Sequence, residues 1–243
     1  SFTARALTSY GKCGSTIRVL CLQDIEYLTG DDFWRFLSAF PSLRSLCCQR
    51  ITFEQQGIAG PLADDAITVL LESCSRLASL ESLLLDVSQV GKPLNVISFE
   101  RFVTFISQLP RLCHLTLEIK LGDEDAVRSI ARIAQVLNLF AESPISSRNA
   151  FEFMLQMSIS SPSRLNHQLA VGDAPRFCQA LEQQLFSIPP LQRVIFRFRG
   201  LRAHREHFWI AELGHHFPKL RQRGLVGVRT DQGKFVDVRP EAS

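Results

Sequence analysis

Leu109-Pro110-Arg111-Leu112-Cys113-His114-Leu115-Thr116-Leu117 holds the design of this chain in nine residues. Pro110 lacks an amide hydrogen and biases Leu109 toward extended geometry, so it ends a preceding helix and turns the chain. Leu115 and Leu117, two apart, then share one face of a strand. The spacing Leu112-x-x-Leu115-x-Leu117 returns as Ile17-x-x-Leu20-x-Leu22, Leu43-x-x-Leu46-x-Cys48, Leu80-x-x-Leu83-x-Leu85 and Leu191-x-x-Val194-x-Phe196. The joint returns as Phe40-Pro41-Ser42-Leu43, Ile188-Pro189-Pro190-Leu191 and Phe217-Pro218-Lys219-Leu220, while Ser75-Arg76-Leu77 runs on to Leu80 without proline.

Between these strands the apolar residues change period. Phe33/Phe36/Leu37/Phe40, Ile67/Leu70/Leu71/Cys74, Phe102/Phe105/Ile106/Leu109, Ile130/Ile133/Ala134/Leu137, Ala174/Phe177/Cys178/Leu181 and Ile210/Leu213/Gly214/Phe217 each form a helical stripe at i, i+3, i+4, i+7. Asp31, Asp64, Ser98, Asp123 and Asp173 precede several stripes, where a side-chain oxygen satisfies free amides and the helix dipole favours negative charge. The gap between Leu112 and Leu191 leaves room for one more unit. Alternating Phe151, Phe153, Leu155, Met157 and Ile159 predict its strand, and 160–174, with Pro162 and Asn166, reads as a loop.

Each strand–helix unit has an apolar face that it cannot bury alone, so neighbours stack. The expected fold class is α/β, an irregular leucine-rich-repeat solenoid of about six to seven units, with parallel strands on the concave side and helices on the convex side. A doubly wound α/β sheet would show the same periods, but has no reason to repeat the Pro-x-Leu joint. The expected layout is an N-terminal flank at 1–16, the solenoid at 17–220, and a cap and tail at 221–243. In the tail, Gly224-Leu225-Val226-Gly227-Val228 and Phe235-Val236-Asp237-Val238 cover the C-terminal edge.

Composition bounds the function. The 243 residues are 46% hydrophobic and 21% charged, the balance of an ordinary globular protein. Apolar runs such as Val69-Leu70-Leu71 fall far short of the roughly 18–20 residues that cross a bilayer, which argues against a membrane span. The first dozen residues lack the pattern of a secretory signal. The seven cysteines (Cys13, Cys21, Cys47, Cys48, Cys74, Cys113, Cys178) are odd in number and lack metal-ligand spacing. They fit a reducing intracellular compartment, cytoplasm or nucleus. Net charge is +3, but residues 191–243 hold 11 Lys and Arg against 5 Asp and Glu.

The irregular leucine-rich segments led in by Phe/Leu-Pro-x-Leu, with the closing Phe217-Pro218-Lys219-Leu220-Arg221-Gln222-Arg223-Gly224-Leu225, resemble the C-terminal region of fungal F-box proteins over about residues 15–230. The resemblance implies the substrate-recognition region of a cullin-type ubiquitin ligase receptor, in which the F-box docks the adaptor and the solenoid holds the target. The sixteen residues before Ile17 are too few for an F-box. Adaptor docking would therefore need one upstream of Ser1, and otherwise the chain is a free-standing binding module. At the Asn/Cys ladder position of the usual repeat this chain carries Ile25, Ile51, Ser88 and Lys120.

No Gly-x-x-x-x-Gly-Lys loop, Gly-x-Ser-x-Gly elbow or His-Glu-x-x-His helix occurs, so the expectation is no enzyme and no cofactor. His204, His207, His215 and His216 crowd the last helical segment. On a helix His204 and His215 share a face but stand roughly 16 Å apart, too far for one ion, so these residues read as a solvated face and no metal is expected. Cys48 fills a leucine position, whereas Cys21 and Cys47 face outward and are the better reactive thiols. One residue per repeat, just after the last apolar position, points into the expected concave face: Gln23, Gln49, Asp86, Glu118, Gln156 and Arg197. With Arg193 and Arg199 on the outward strand face, these are the expected binding residues. The expected role is a monomeric protein-interaction module with an acidic protein segment as ligand. The alternatives are a basic-patch nucleic-acid or phosphate binder, or an α/β enzyme with an unfamiliar site.

Overall fold

The computed structural model describes residues 14–27, 30–49, 51–53, 77–86, 108–121, 134, 137–138, 141–142, 152–159, 174–187, 191–198, 206–229 and 235–237. Two compact units divide the chain: Ser1–Leu115 with Ser143–Ile145, and Thr116–Glu142 with Ser146–Ser243. The architecture is α/β, and the sheet is open and mostly parallel.

The first unit holds β1 (Val19–Gln23), β2 (Glu26–Tyr27), α1 (Gly30–Leu37), β3 (Ser45–Gln49), β4 (Thr52–Phe53), β5 (Ser82–Asp86) and the start of β6 (His114–Leu121). β1, β3 and β5 lie side by side in chain order, parallel throughout. Their register aligns Leu20 with Leu46 and Leu83, and Leu22 with Cys48 and Leu85. All but half-buried Leu20 are buried. A leucine taken from water to such a site stabilises by about 1.5–3 kcal/mol, so the aligned rows are the main cohesive element.

A repeated backbone contact sets that register. The Arg18 carbonyl accepts the amides of Arg44 (2.8 Å) and Ser45 (3.0 Å), the Arg44 carbonyl those of Glu81 (2.8 Å) and Ser82 (2.9 Å), and the Glu81 carbonyl those of Cys113 (2.9 Å) and His114 (3.0 Å). Arg18, Arg44 and Glu81 each stand one residue after the first apolar residue of their L-x-x-L-x-L segment. The preceding turn also repeats, as Leu43 N–H to Phe40 carbonyl (3.1 Å) and Leu80 N–H to Leu77 carbonyl (2.9 Å). The proline-free joint at 77–80 therefore makes the same turn as Phe40-Pro41-Ser42-Leu43.

After β1 and β3, Ile25 and Ile51 lead into a second small sheet, β2 parallel to β4. Tyr27 is buried there, its ring 5.2 Å from Phe33, and the stripe continues through Phe36 to Phe40. The expected stripe Phe33/Phe36/Leu37/Phe40 is thus the buried face of α1 and its exit.

The second unit holds the rest of β6, β7 (Glu152–Ile159), α2 (Ala174–Ser187), β8 (Leu191–Phe198), α3 (Glu206–His216), α4 (Pro218–Gln222), β9 (Val226–Arg229) and β10 (Phe235–Asp237), with the strands again in chain order. β7 is the strand expected from its alternation: Phe153, Leu155, Met157 and Ile159 are all buried. β8 pairs in parallel with β7 and β9, and β10 pairs antiparallel to β9.

Two expectations change here. The Phe217-Pro218-Lys219-Leu220 joint does not lead into a strand. Pro218 opens α4, because proline's fixed φ and missing amide suit the first turn of a helix as well as they suit a stop. The parallel ladder also runs past residue 220, since β9 adds to it and only β10 closes the edge. The stripes at 67–74, at 130–133 and before Leu109, the loop at 160–173, and Asp64, Ser98, Asp123 and Asp173 lie outside the described residues.

α4 is pinned at both ends. Its N-cap, Phe217, offers no side-chain acceptor, and Leu220 N–H instead donates to Glu182 Oε1 of α2 at 2.8 Å. At the other end Gly224 takes φ +68°, Leu225 N–H reaches the Leu220 carbonyl (3.0 Å) and Gly224 N–H the Arg221 carbonyl (2.8 Å), a Schellman closure. Glu182 is 2% exposed, and its contact joins two elements 38 residues apart. Glu182→Ala leaves a buried amide without an acceptor and should cost about 1–3 kcal/mol, whereas Glu182→Gln keeps an acceptor and should cost less. Urea unfolding measures both, and an unchanged midpoint for Glu182→Ala would remove this contact from the account.

Candidate functional site

On every described strand the residues between the leucine positions face the other side of the sheet, and there the two units differ. In the first unit this face is open: Val19 is 71% exposed, Cys21 and Gln23 are exposed, and Cys47, Gln49, Leu84 and Asp86 are half-buried. In the second unit it is covered at its centre. Glu118 is 4% and Gln156 5% exposed, and Ser158 and Ile195 are buried too. Glu118 and Gln156 therefore sit on the expected side of their strands but not at a solvent-lined groove. Ser158 Oγ donates to Glu118 Oε1 at 3.1 Å, as buried polar groups require.

Of the three arginines expected to act together, the two described ones, Arg193 and Arg197, have different neighbours. Arg193 is engaged within its own unit: its guanidinium carbon lies 4.4 Å from the centre of the Phe235 ring, and Nη2 is 3.6 Å from Asp237 Oδ1. Phe235 reaches this position because Gly227 offers no side chain; a Cβ there would collide with the ring. Arg193 thus clamps β10 onto β8 and β9. Arg199 lies outside the described residues.

Arg197 is half-buried and belongs to a different set. The register places it directly opposite Arg229 of β9, with Ser158 of β7 on its other side. Neighbouring strands stand about 4.8 Å apart, so two like charges occupy adjacent positions of one face, an arrangement that costs stability. Among the described residues neither Arg197 nor Arg229 has an ion-pair partner. Two adjacent guanidiniums offer forked donors to one anionic group.

Arg229 is the residue that sequence reasoning missed, because 221–243 was read as a cap. A signal existed. Val194-Ile195-Phe196-Arg197 and Val226-Gly227-Val228-Arg229 share the pattern Val-x-apolar-Arg, and the register aligns them residue for residue.

The chain matches no protein-family model, no curated protein and no solved structure. Among the described residues no helix is long and apolar enough to cross a membrane. Of the four clustered histidines, His204 lies outside the described residues, while His215 and His216 stand with ring centres 5.7 Å apart.

Burial, and then the charge of His215, lower the pKa of His216. The folded state therefore prefers neutral His216. Stability from this preference is complete above the ordinary histidine value of about 6.5 and drains away as pH falls from there toward the lowered value. Thermal unfolding at about pH 7.5 and about pH 5.5 should show wild type losing more Tm than His216→Gln; equal losses would contradict the assignment. Arg193→Ala should cost about 1 kcal/mol through the lost ring contact and ion pair, while Arg197→Ala leaves the urea midpoint essentially unchanged.

Proposed function

We propose that this chain is a protein-interaction module, a leucine-rich-repeat solenoid of irregular repeat length, that receives an acidic segment of a partner protein on Arg197 and Arg229. The in-register arginine pair carries the reading: it lacks an internal counter-ion among the described residues. A bound carboxylate converts its repulsion into two charge-assisted hydrogen-bonded contacts. The repeated carbonyl contacts in the first unit and the strand order in both units support the solenoid part. An acidic peptide is favoured over nucleic acid because the chain as a whole is only +3, and counter-ion release from a duplex rewards a larger basic surface.

The resemblance of the joints to fungal F-box proteins makes a ligase target receptor the specific form of this reading. Copurification of a cullin-ligase adaptor with the protein expressed from its full natural reading frame is the observation that supports that form.

Binding is tested with a labelled oligo-glutamate peptide and a single-stranded oligonucleotide of matched charge. The peptide should bind more tightly, and Arg197→Glu/Arg229→Glu should weaken it about tenfold or more. Arg229→Glu alone should lower binding yet leave Tm unchanged or about 1 °C higher, because it replaces a like-charge neighbour by an opposite one. Equal peptide binding by the double variant overturns the site, and preference for the oligonucleotide favours a nucleic-acid ligand.

A further inference from the structure

We propose that Cys21 and Cys47 form an oxidisable dithiol, which a peroxide-class oxidant converts into an intramolecular disulfide linking β1 to β3. The two residues are Cα partners in the parallel register of these strands. Strands in a sheet stand about 4.8 Å apart, inside the roughly 4.4–6.8 Å between Cα atoms that a disulfide spans. Both are thiols on the face opposite the leucines, Cys21 exposed and Cys47 half-buried.

The neighbouring cysteines do not compete. Cys48 follows Cys47 in the chain, but it is buried on the opposite face, where burial above all, and then Cys47 and Cys21, push its pKa upward. Its thiolate, the reactive form, is suppressed. Across β3 from Cys21, the other neighbour of Cys47 is Leu84. Cys113 donates its thiol hydrogen to the Glu81 carbonyl at 3.4 Å. Among the described cysteines the chemistry is therefore pairwise.

Cys21, the more exposed, meets the oxidant first. Its thiolate attacks one oxygen of hydrogen peroxide, the O–O bond breaks, and hydroxide leaves and takes up the thiol proton as water; the product is a sulfenic acid. The Cys47 thiolate then attacks that sulfur, an S–S bond forms, the S–O bond breaks, and the departing hydroxide takes up the second thiol proton. Two thiols and one peroxide give one disulfide and two waters. The sulfurs together lose two electrons, and the peroxide oxygens gain them. Side chains in register on parallel strands leave the sheet side by side rather than converging, so the bridge carries strain and is readily reduced again.

The test uses the fully reduced chain, which carries seven cysteines. After a stoichiometric dose of peroxide, alkylation in denaturant should count five thiols instead of seven, and peptide mapping should recover Cys21 joined to Cys47. Brief dithiothreitol treatment should restore the full count. Cys21→Ser and Cys47→Ser should each abolish the linked peptide. A trivalent aryl arsenical, which needs two thiols side by side, reads the geometry without oxidation. It should be retained by wild type and by Cys48→Ser, and lost from either outer variant. Linkage of Cys47 to Cys48, linkage between chains, a full thiol count after peroxide, or arsenical retention by Cys21→Ser would each overturn the proposal.

Discussion

The first unit depends on one backbone carbonyl per strand segment, the acceptor that takes two amides from the following segment of the same unit. Side chains on a strand alternate with period two, so a slip of one residue would turn every leucine outward. Arg18, Arg44 and Glu81 hold that register at equivalent places, and it is why Leu22, Cys48 and Leu85 stack into one buried row. The sequence varies widely between these rows, since only the acceptor and the apolar spacing need to recur. Repeat lengths can therefore be irregular while the strands remain aligned.

The ends of the second unit solve a different problem, that of stopping. β10 closes one edge antiparallel, held by Phe235 against Gly227 and by Arg193 above the ring. α4 is too short to be stable alone, and it persists because Glu182 supplies the acceptor that Phe217 lacks while Gly224 turns the last carbonyls inward. Inside the same unit the Glu182 charge, after burial, helps raise the Cys178 thiol to about 12, which keeps that buried cysteine protonated and inert.

Much of this was legible in the residues. The L-x-x-L-x-L segments supplied β1, β3, β5, β6 and β8, the alternation at 153–159 supplied β7, and Cys48 was correctly separated from Cys21 and Cys47 by strand parity alone. Parity is local, so a sequence carries it. What covers a face is not local: Glu118 and Gln156 have the predicted parity, yet they are buried. Pro218 was ambiguous for a physical reason, since the same ring that ends one helix begins another. The contacts of Arg193 with Phe235 and Asp237 could not be read from the sequence, because those residues lie more than forty positions downstream on a strand whose pairing no short-range pattern reveals.

In-register stacking has a further consequence for the face that carries no leucine. Parallel repeats set like beside like, and the outcome depends on what is repeated. Apolar rows satisfy themselves. Amide rows such as Gln23 beside Gln49 have both donor and acceptor to offer one another. Thiols beside thiols, as at Cys21 and Cys47, stay separate until an oxidant joins them. Guanidiniums have donors only, so Arg197 beside Arg229 is the one of these like-with-like rows that its own members cannot satisfy. A fold that generates such a pair by its ordinary repeat, with no ion-pair partner for it among the described residues, leaves its charge to solvent and dissolved ions unless a ligand supplies the carboxylate.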